Sequence, residues 1–145
     1  MIVRNIIDSK PNPQVFTMKP TDPVRGAVEI LAEKRIGAVI ISGDGAMVDG
    51  ILSERDIVRA LAARGTAALD AQIQDLMTSA VIGCHPEDTA MSVMEKMTDG
   101  RFRHMPVIEA NRMIGVISIG DVVKARINEV QAENAALTGM IANSW

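Results

Sequence analysis

The chain repeats itself. Val15-Phe16-Thr17-Met18-Lys19-Pro20-Thr21-Asp22-Pro23-Val24 aligns with Val81-Ile82-Gly83-Cys84-His85-Pro86-Glu87-Asp88-Thr89-Ala90 at an offset of 66. Glu29 meets Glu95 at the same offset, and Ile36-Gly37-Ala38-Val39-Ile40-Ile41 meets Phe102-Arg103-His104-Met105-Pro106-Val107. A turn follows in both copies, Ser42-Gly43-Asp44-Gly45 and Glu109-Ala110-Asn111-Arg112, and there the offset slips to 65. Gly50-Ile51-Leu52-Ser53-Glu54-Arg55-Asp56 then matches Gly115-Val116-Ile117-Ser118-Ile119-Gly120-Asp121. A unit of about 60 residues buries too little surface to be comfortable alone. Two copies packed through equivalent faces are therefore expected, related by a pseudo-twofold axis, with any cleft occurring twice.

Within each copy the periodicity places the elements. Pro20 and Asp22 precede Val24, Ala27, Val28 and Leu31, which fall at helical spacing. Residues 38–41 read as a buried strand, and Gly43-Asp44-Gly45 as the turn into a second strand around Gly50–Leu52. Ser53 and Asp56 open another helix. The prediction is an α+β fold of two β-α-β-β-α repeats, with a first unit at 8–66, a linker at 67–75, a second unit at 76–133 and a C-terminal helical extension at 134–145. From Asp121 to about Ile141 the sequence reads as one long helix. Val123, Ile127, Val130, Asn134, Leu137 and Ile141 are spaced by four and three in alternation, a heptad seam with one Asn in it. Such a seam packs either on its own module or on another helix. A homodimer is expected in both cases, with higher association through this helix in the second.

Composition removes several classes of function. A net charge of −3, with Phe16, Phe102 and Trp145 as the whole aromatic set, suits neither a phosphate-coating surface nor a base-stacking platform. Arg101, Arg103, Arg112, Lys124 and Arg126 are the basic residues a nucleic-acid reading would need, and no nucleic-acid partner is expected. Cys84 stands alone beside two histidines, His85 and His104, so neither a disulfide nor a zinc site is predicted. The N-terminus lacks a signal-peptide core, and the longest apolar run, 38–41, is far too short to span a bilayer. A cytoplasmic chain without a membrane partner is the expectation. No Walker A, Gly-x-Gly-x-x-Gly, Gly-x-Ser-x-Gly or His-Glu-x-x-His stretch occurs, and no catalytic residue is assigned.

The chemistry with the strongest claim is the doubled Gly-apolar-apolar-Ser-x-x-Asp. Ser followed three residues later by an acid is a helix capping box, the hydroxyl accepting an orphan N–H. The same carboxylate can accept hydrogen bonds from the vicinal hydroxyls of a ribose, while the helix N-terminus faces a phosphate. The two roles are compatible.

On these motifs the chain resembles a tandem pair of cystathionine-β-synthase (CBS) domains, a Bateman module. The matching stretches are Ile36–Ile41, Gly50–Asp56, Phe102–Val107 and Gly115–Asp121, within a resemblance covering about 15–124. It implies a non-enzymatic regulatory module that binds AMP, ADP, ATP, NAD(H) or S-adenosylmethionine between the copies, as a regulatory ligand and not a catalytic cofactor. By this resemblance Asp56 and Asp121 hold ribose, with Ser53 and Ser118 as their hydroxyl partners. Asp22 and Asp88 line the adenine side, Ala38 offers backbone to the base edge, and Arg103 and His104 face phosphates. The first copy has Gly37 and Ala38 at that cationic position, so unequal sites are expected: the Asp121 site with cations at hand, the Asp56 site relying on Arg55. The module would report energy or redox state to a regulated protein that the sequence does not name. A ligand-free oligomerisation module is the alternative.

Overall fold

In the computed structural model, residues 1–10 and 16–143 are described. Val15 of the first repeat and Trp145 lie outside them. The first half contains β1 (Thr17–Met18), α2 (Val24–Lys34), β2 (Ala38–Ile41), β3 (Gly50–Ser53) and α3 (Glu54–Arg64). β1 runs parallel to β2, and β2 pairs antiparallel with β3, Ala38 facing Ser53. The second half contains α5 (Ala90–Gly100), β4 (His104–Glu109), β5 (Arg112–Ser118) and α6 (Ile119–Asn143). β4 and β5 are antiparallel with His104 opposite Ser118, and Cys84 bridges Val107 in parallel, where β1 lies in the first half. The two halves thus have the predicted repeated α+β plan. The β4–β5 turn is tight: Ala110 and Asn111 both take positive φ, 52° and 64°, as a two-residue hairpin of right-handed twist requires.

The stretch expected as a linker is part of a core. After a 3-10 turn (Gly65–Asp70) comes α4 (Ile73–Leu76), and fully buried Ile73 packs with Val24, Ala27, Val39 and Leu52 of the first half. The N-terminal α1 (Val3–Asp8) does the same for the second half, where Val3, Ile6 and Ile7 join Cys84, Val93, Met105, Ile117 and Val122. The backbone bonds correspond. Val3 N–H donates to Asp88 O at 2.9 Å and Arg4 N–H to Pro86 O at 2.9 Å; Ile73 N–H donates to Asp22 O at 2.9 Å and Gln74 N–H to Pro20 O at 2.8 Å. Each half is therefore completed by a segment lying outside its own strand–helix–strand unit. Residues 3 and 73 are structural equivalents, an offset of 70 and not 66.

This exchange explains the glycine that heads β3 and recurs in β5. A Cβ on Gly50 would sit 2.9 Å from Thr78 O and 2.7 Å from Met77 Sδ, and one on Gly115 would sit 3.1 Å from Ile7 Cδ1. In both halves the added segment passes too close for a side chain.

α6 is one continuous helix, as its periodicity predicts. Val122 and Ala125 are buried against the second-half core, while Val123, Ile127, Val130 and Leu137 are 41%, 51%, 41% and 56% exposed. The seam residues therefore face away from their own module. From Gln131 to Thr138 every residue is exposed, so this part of the helix stands clear of the globule.

Candidate functional site

Both Ser-x-x-Asp motifs cap helices. Ser53 is the N-cap of α3: its hydroxyl accepts from Asp56 N–H at 3.3 Å, while Asp56 Oδ2 accepts from Ser53 N–H at 2.9 Å and from Ser53 Oγ at 3.0 Å. At the start of α6, Ser118 Oγ accepts from Asp121 N–H at 3.1 Å and Asp121 Oδ2 from Ser118 N–H at 2.9 Å. In each motif the capping bonds use Oδ2, so the second carboxylate oxygen is outside the cap geometry.

The Asp56 motif opens on a cleft of about 340 Å³ between the halves. Gly37, Ala38, Ile51, Ser53 and Asp56 come from the first half, and Arg101, Phe102, Arg103 and His104 from the second. The segment joining the halves supplies Thr78, Ala80, Val81 and Ile82 as a largely apolar wall. Thr78 is held there by paired backbone bonds with Ile51, 2.9 Å in each direction. Four guanidinium side chains line this cleft, Arg55, Arg59, Arg101 and Arg103, against the carboxylates of Glu54 and Asp56. Arg103 pairs with Glu54 at 3.0 Å, and Arg55 Nη1 donates to Arg101 O at 3.3 Å.

The sequence expectation gave the Asp56 side Arg55, and the Asp121 side Arg103 and His104. The cations gather at the Asp56 cleft, whose acid-bearing helix lies opposite residues 101–104 of the other half. A neighbouring, more open cleft of about 520 Å³ is lined by Arg35, Ile36 and Gly37 on one side and Ser118, Ile119 and Gly120 on the other. Arg103 and His104 border both clefts. The Asp121 carboxylate is already paired with Lys10 at 2.9 Å. Burial pushes its pKa up, but the Ser118 amide and the Lys10 ammonium outweigh burial and hold it below the ordinary aspartate value. Asp22 and Asp88 lie outside both clefts. Their carboxylates close local turns by accepting from Lys19 N–H and His85 N–H, each at 2.9 Å. The wall of the Asp56 cleft between the halves is made by Thr78, Ala80, Val81 and Ile82.

His104 is half-buried, and burial followed by the nearby Arg103 charge lowers its pKa below the ordinary 6.5. A Cβ on Gly37 would come within 3.1 Å of its Cε1, so the missing side chain in the first copy makes room for the imidazole of the second. The unfolded chain holds this proton at higher pH than the folded one. Stability from neutral His104 is therefore complete above about pH 6.5 and declines as the pH falls from there toward the folded pKa. Urea midpoints taken from about pH 8 to about pH 5 are expected to fall less steeply in His104→Gln than in the parent chain. Equal slopes would mean that the imidazole is not held neutral by the fold.

Cys84 is buried, and burial pushes its thiol up to about 12, so it carries no thiolate chemistry near neutrality. Among the described residues no three His, Cys, Asp or Glu side chains are grouped to hold a metal ion, and no helix is long and apolar enough to cross a membrane.

Two repeats that complete each other's cores and share a cleft closed by Ser-x-x-Asp define a tandem β-α-β-β-α pair. The family model for the CBS domain matches residues 3–63 and again 73–128, and the chain belongs to that family. A CBS-domain containing protein from Agrobacterium tumefaciens superposes with a TM-score of 0.82 at 43% identity, over 87% of this chain and 99% of that one. A mitochondrial CBS domain-containing protein of Arabidopsis thaliana is 34% identical over 128 residues, which are 86% of this chain and 62% of that relative's length. The CBS domain pair of the protein MJ0100, solved with 5′-methylthioadenosine and S-adenosyl-L-methionine, superposes with a TM-score of 0.76 at 25% identity, over 89% of this chain and 98% of that one.

Proposed function

We propose that the chain is a regulatory module whose Asp56 cleft binds an adenosine ligand carrying phosphate groups, such as AMP, ADP, ATP or NAD(H). One observation carries this reading: Asp56 and the four arginines converge on one cleft that both halves build. A carboxylate with an oxygen beyond its cap accepts from a ribose diol. The apolar wall of Ala80, Val81 and Ile82 suits an adenine face, and guanidinium groups pair with phosphate oxygens. The bound ligands of MJ0100 support the adenosine part. The local excess of positive charge disfavours a sulfonium, so this cleft prefers phosphates to S-adenosylmethionine.

Such a ligand has an output route. Phosphate oxygens compete with Glu54 for Arg103, and Arg103 also borders Ser118–Gly120 at the root of α6. Binding then favours one relative setting of the halves in proportion to its difference in affinity for the two settings. The exposed seam of α6 supports self-association as the readout, a homodimer that signals to a regulated protein.

Titration calorimetry with AMP, ATP, NADH, 5′-methylthioadenosine and S-adenosylmethionine tests the proposal, with sedimentation velocity run on the same samples. Phosphate-bearing ligands are expected to bind at least about tenfold more tightly than the other two, the equivalent of one charge-assisted contact. Arg103→Ala is expected to erase that preference. Tighter binding of S-adenosylmethionine, or no binding by any adenosine compound, would sink the reading.

A further inference from the structure

The two halves differ at one position that the offset of 70 isolates. Ala80 lines the Asp56 cleft, and its equivalent is Lys10. The backbone bonds make Val3 equivalent to Ile73 and Arg4 to Gln74, and the offset of 70 carried on along the chain sets Lys10 against Ala80, although α1 runs on to Asp8 where α4 ends at Leu76. A methyl group in one half is thus a four-carbon ammonium side chain in the other.

Lys10 reaches the Ser-x-x-Asp motif of its own half. Its Nζ donates to Asp121 Oδ2 at 2.9 Å and to Val116 O at 2.9 Å. Val116 is the repeat equivalent of Ile51, which lines the Asp56 cleft. Asp121 is the counterpart of Asp56, which lines the first cleft; Val116 O is the counterpart of Ile51 O, which in the first half accepts from Thr78 N–H at 2.9 Å. The contact is partly shielded, with side-chain exposures of 32% for Lys10 and 23% for Asp121. A ribose entering here would replace a charge-assisted bond by neutral hydroxyl donors, and would strip the Val116 carbonyl of its ammonium partner.

We propose that Lys10, by holding the Asp121 carboxylate in an ion pair, keeps it from accepting a ribose, so that each chain takes one adenosine nucleotide, at Asp56, and the Asp121 side takes a second only when Lys10 is removed. The proposal rests on the reading of Asp56 as a ribose acceptor. The repeated Ser-x-x-Asp alone points to two sites; Lys10 makes the pair a one-site sensor.

Calorimetric stoichiometry with ATP and with AMP tests it in the full chain. The parent is expected to bind one nucleotide per chain and Lys10→Ala two. Lys10→Ala/Asp121→Ala should return to one, and Lys10→Ala/Asp56→Ala should keep one, located at Asp121. Lys10→Ser is read in parallel, with circular-dichroism melts confirming that each variant is folded. A parent chain that binds two, or Lys10→Ala and Lys10→Ser chains that still bind one, would overturn the proposal. A parent that binds none beside a Lys10→Ala chain that binds one would overturn the Asp56 reading while keeping Lys10 as the partner that holds Asp121. No binding to any variant would overturn both.

Discussion

Asp56→Ala is expected to weaken binding of AMP or ATP by about a hundredfold or more, and to cost about 1 kcal/mol of stability through the lost cap. The two effects have separate causes. A hydrogen bond to a charged group contributes about 1.5–3 kcal/mol, and a ribose diol presents two of them to the carboxylate. The stability loss comes from Oδ2, which accepts from Ser53 N–H at 2.9 Å. Ser53→Ala separates the roles, because it removes the hydroxyl that Asp56 N–H donates to and leaves the carboxylate in place. Its melting temperature should fall as in Asp56→Ala, while its affinity in calorimetry should stay within a few-fold of the parent. If Asp56→Ala lost stability and kept its affinity, the motif would be a cap and nothing more.

The outcome at this motif shows what a sequence can and cannot display. Gly50-x-x-Ser53-x-x-Asp56 and Gly115-x-x-Ser118-x-x-Asp121 are local patterns, and local geometry carries them out: strand, cap, helix. The strands and long helices of the two repeats were legible for the same reason, since their apolar spacing is a property of neighbours in the chain, whereas α4 lay in a stretch read as a linker. That the clefts are unequal was legible, since Gly37 and Ala38 stand where the second copy has Arg103 and His104; which cleft gathers the cations was not. It depends on which side chains meet across the pseudo-twofold axis, and Arg101 and Arg103 read equally well as surface charge until the 101–104 edge is seen opposite α3. The wall at Thr78–Ile82 and the Lys10 contact were hidden by a change of offset. The strands repeat at 66 and, past the turn, at 65, but the segments that precede them repeat at 70 and share few residue types: Val3 answers Ile73, Arg4 answers Gln74 and Ile7 answers Met77. Only volume and backbone bonding are shared along that stretch, and neither shows in an alignment of letters. Asp22 and Asp88 are the reverse case. Their recurrence at 66 is real, yet it belongs to two turns that each need a carboxylate to hold a backbone N–H.

Ile73→Ala is expected to cost about 2–5 kcal/mol in urea unfolding, the range for truncating a buried aliphatic side chain to Ala, while Ile73→Val should cost about 0.5–1.5 kcal/mol. A residue in a linker would give neither result. Ile73 has 0% exposure and fills the space between α2 and the β2–β3 pair, so its removal leaves a cavity that the backbone bonds of α4 to Asp22 and Pro20 prevent from closing. The consequence reaches the ligand. Thr78, five residues on, is bonded in both directions to Ile51 and begins the wall of the Asp56 cleft, so loosening α4 loosens the surface against which adenine would pack. Hydrogen exchange at Ile51 and Thr78 is expected to quicken in Ile73→Ala ahead of exchange in β4 and β5, which draw on the other core. Saturating nucleotide is expected to slow it again, since binding to the folded state alone stabilises that state by mass action. A loss below about 1 kcal/mol, the level of an ordinary surface change, would make α4 a peripheral strap. Exchange quickening equally in both halves would instead mean that the two cores unfold as one. The first half then holds its cleft only because a segment beyond α3 returns to fill it, which places the stability of the site and its occupancy in the same few side chains.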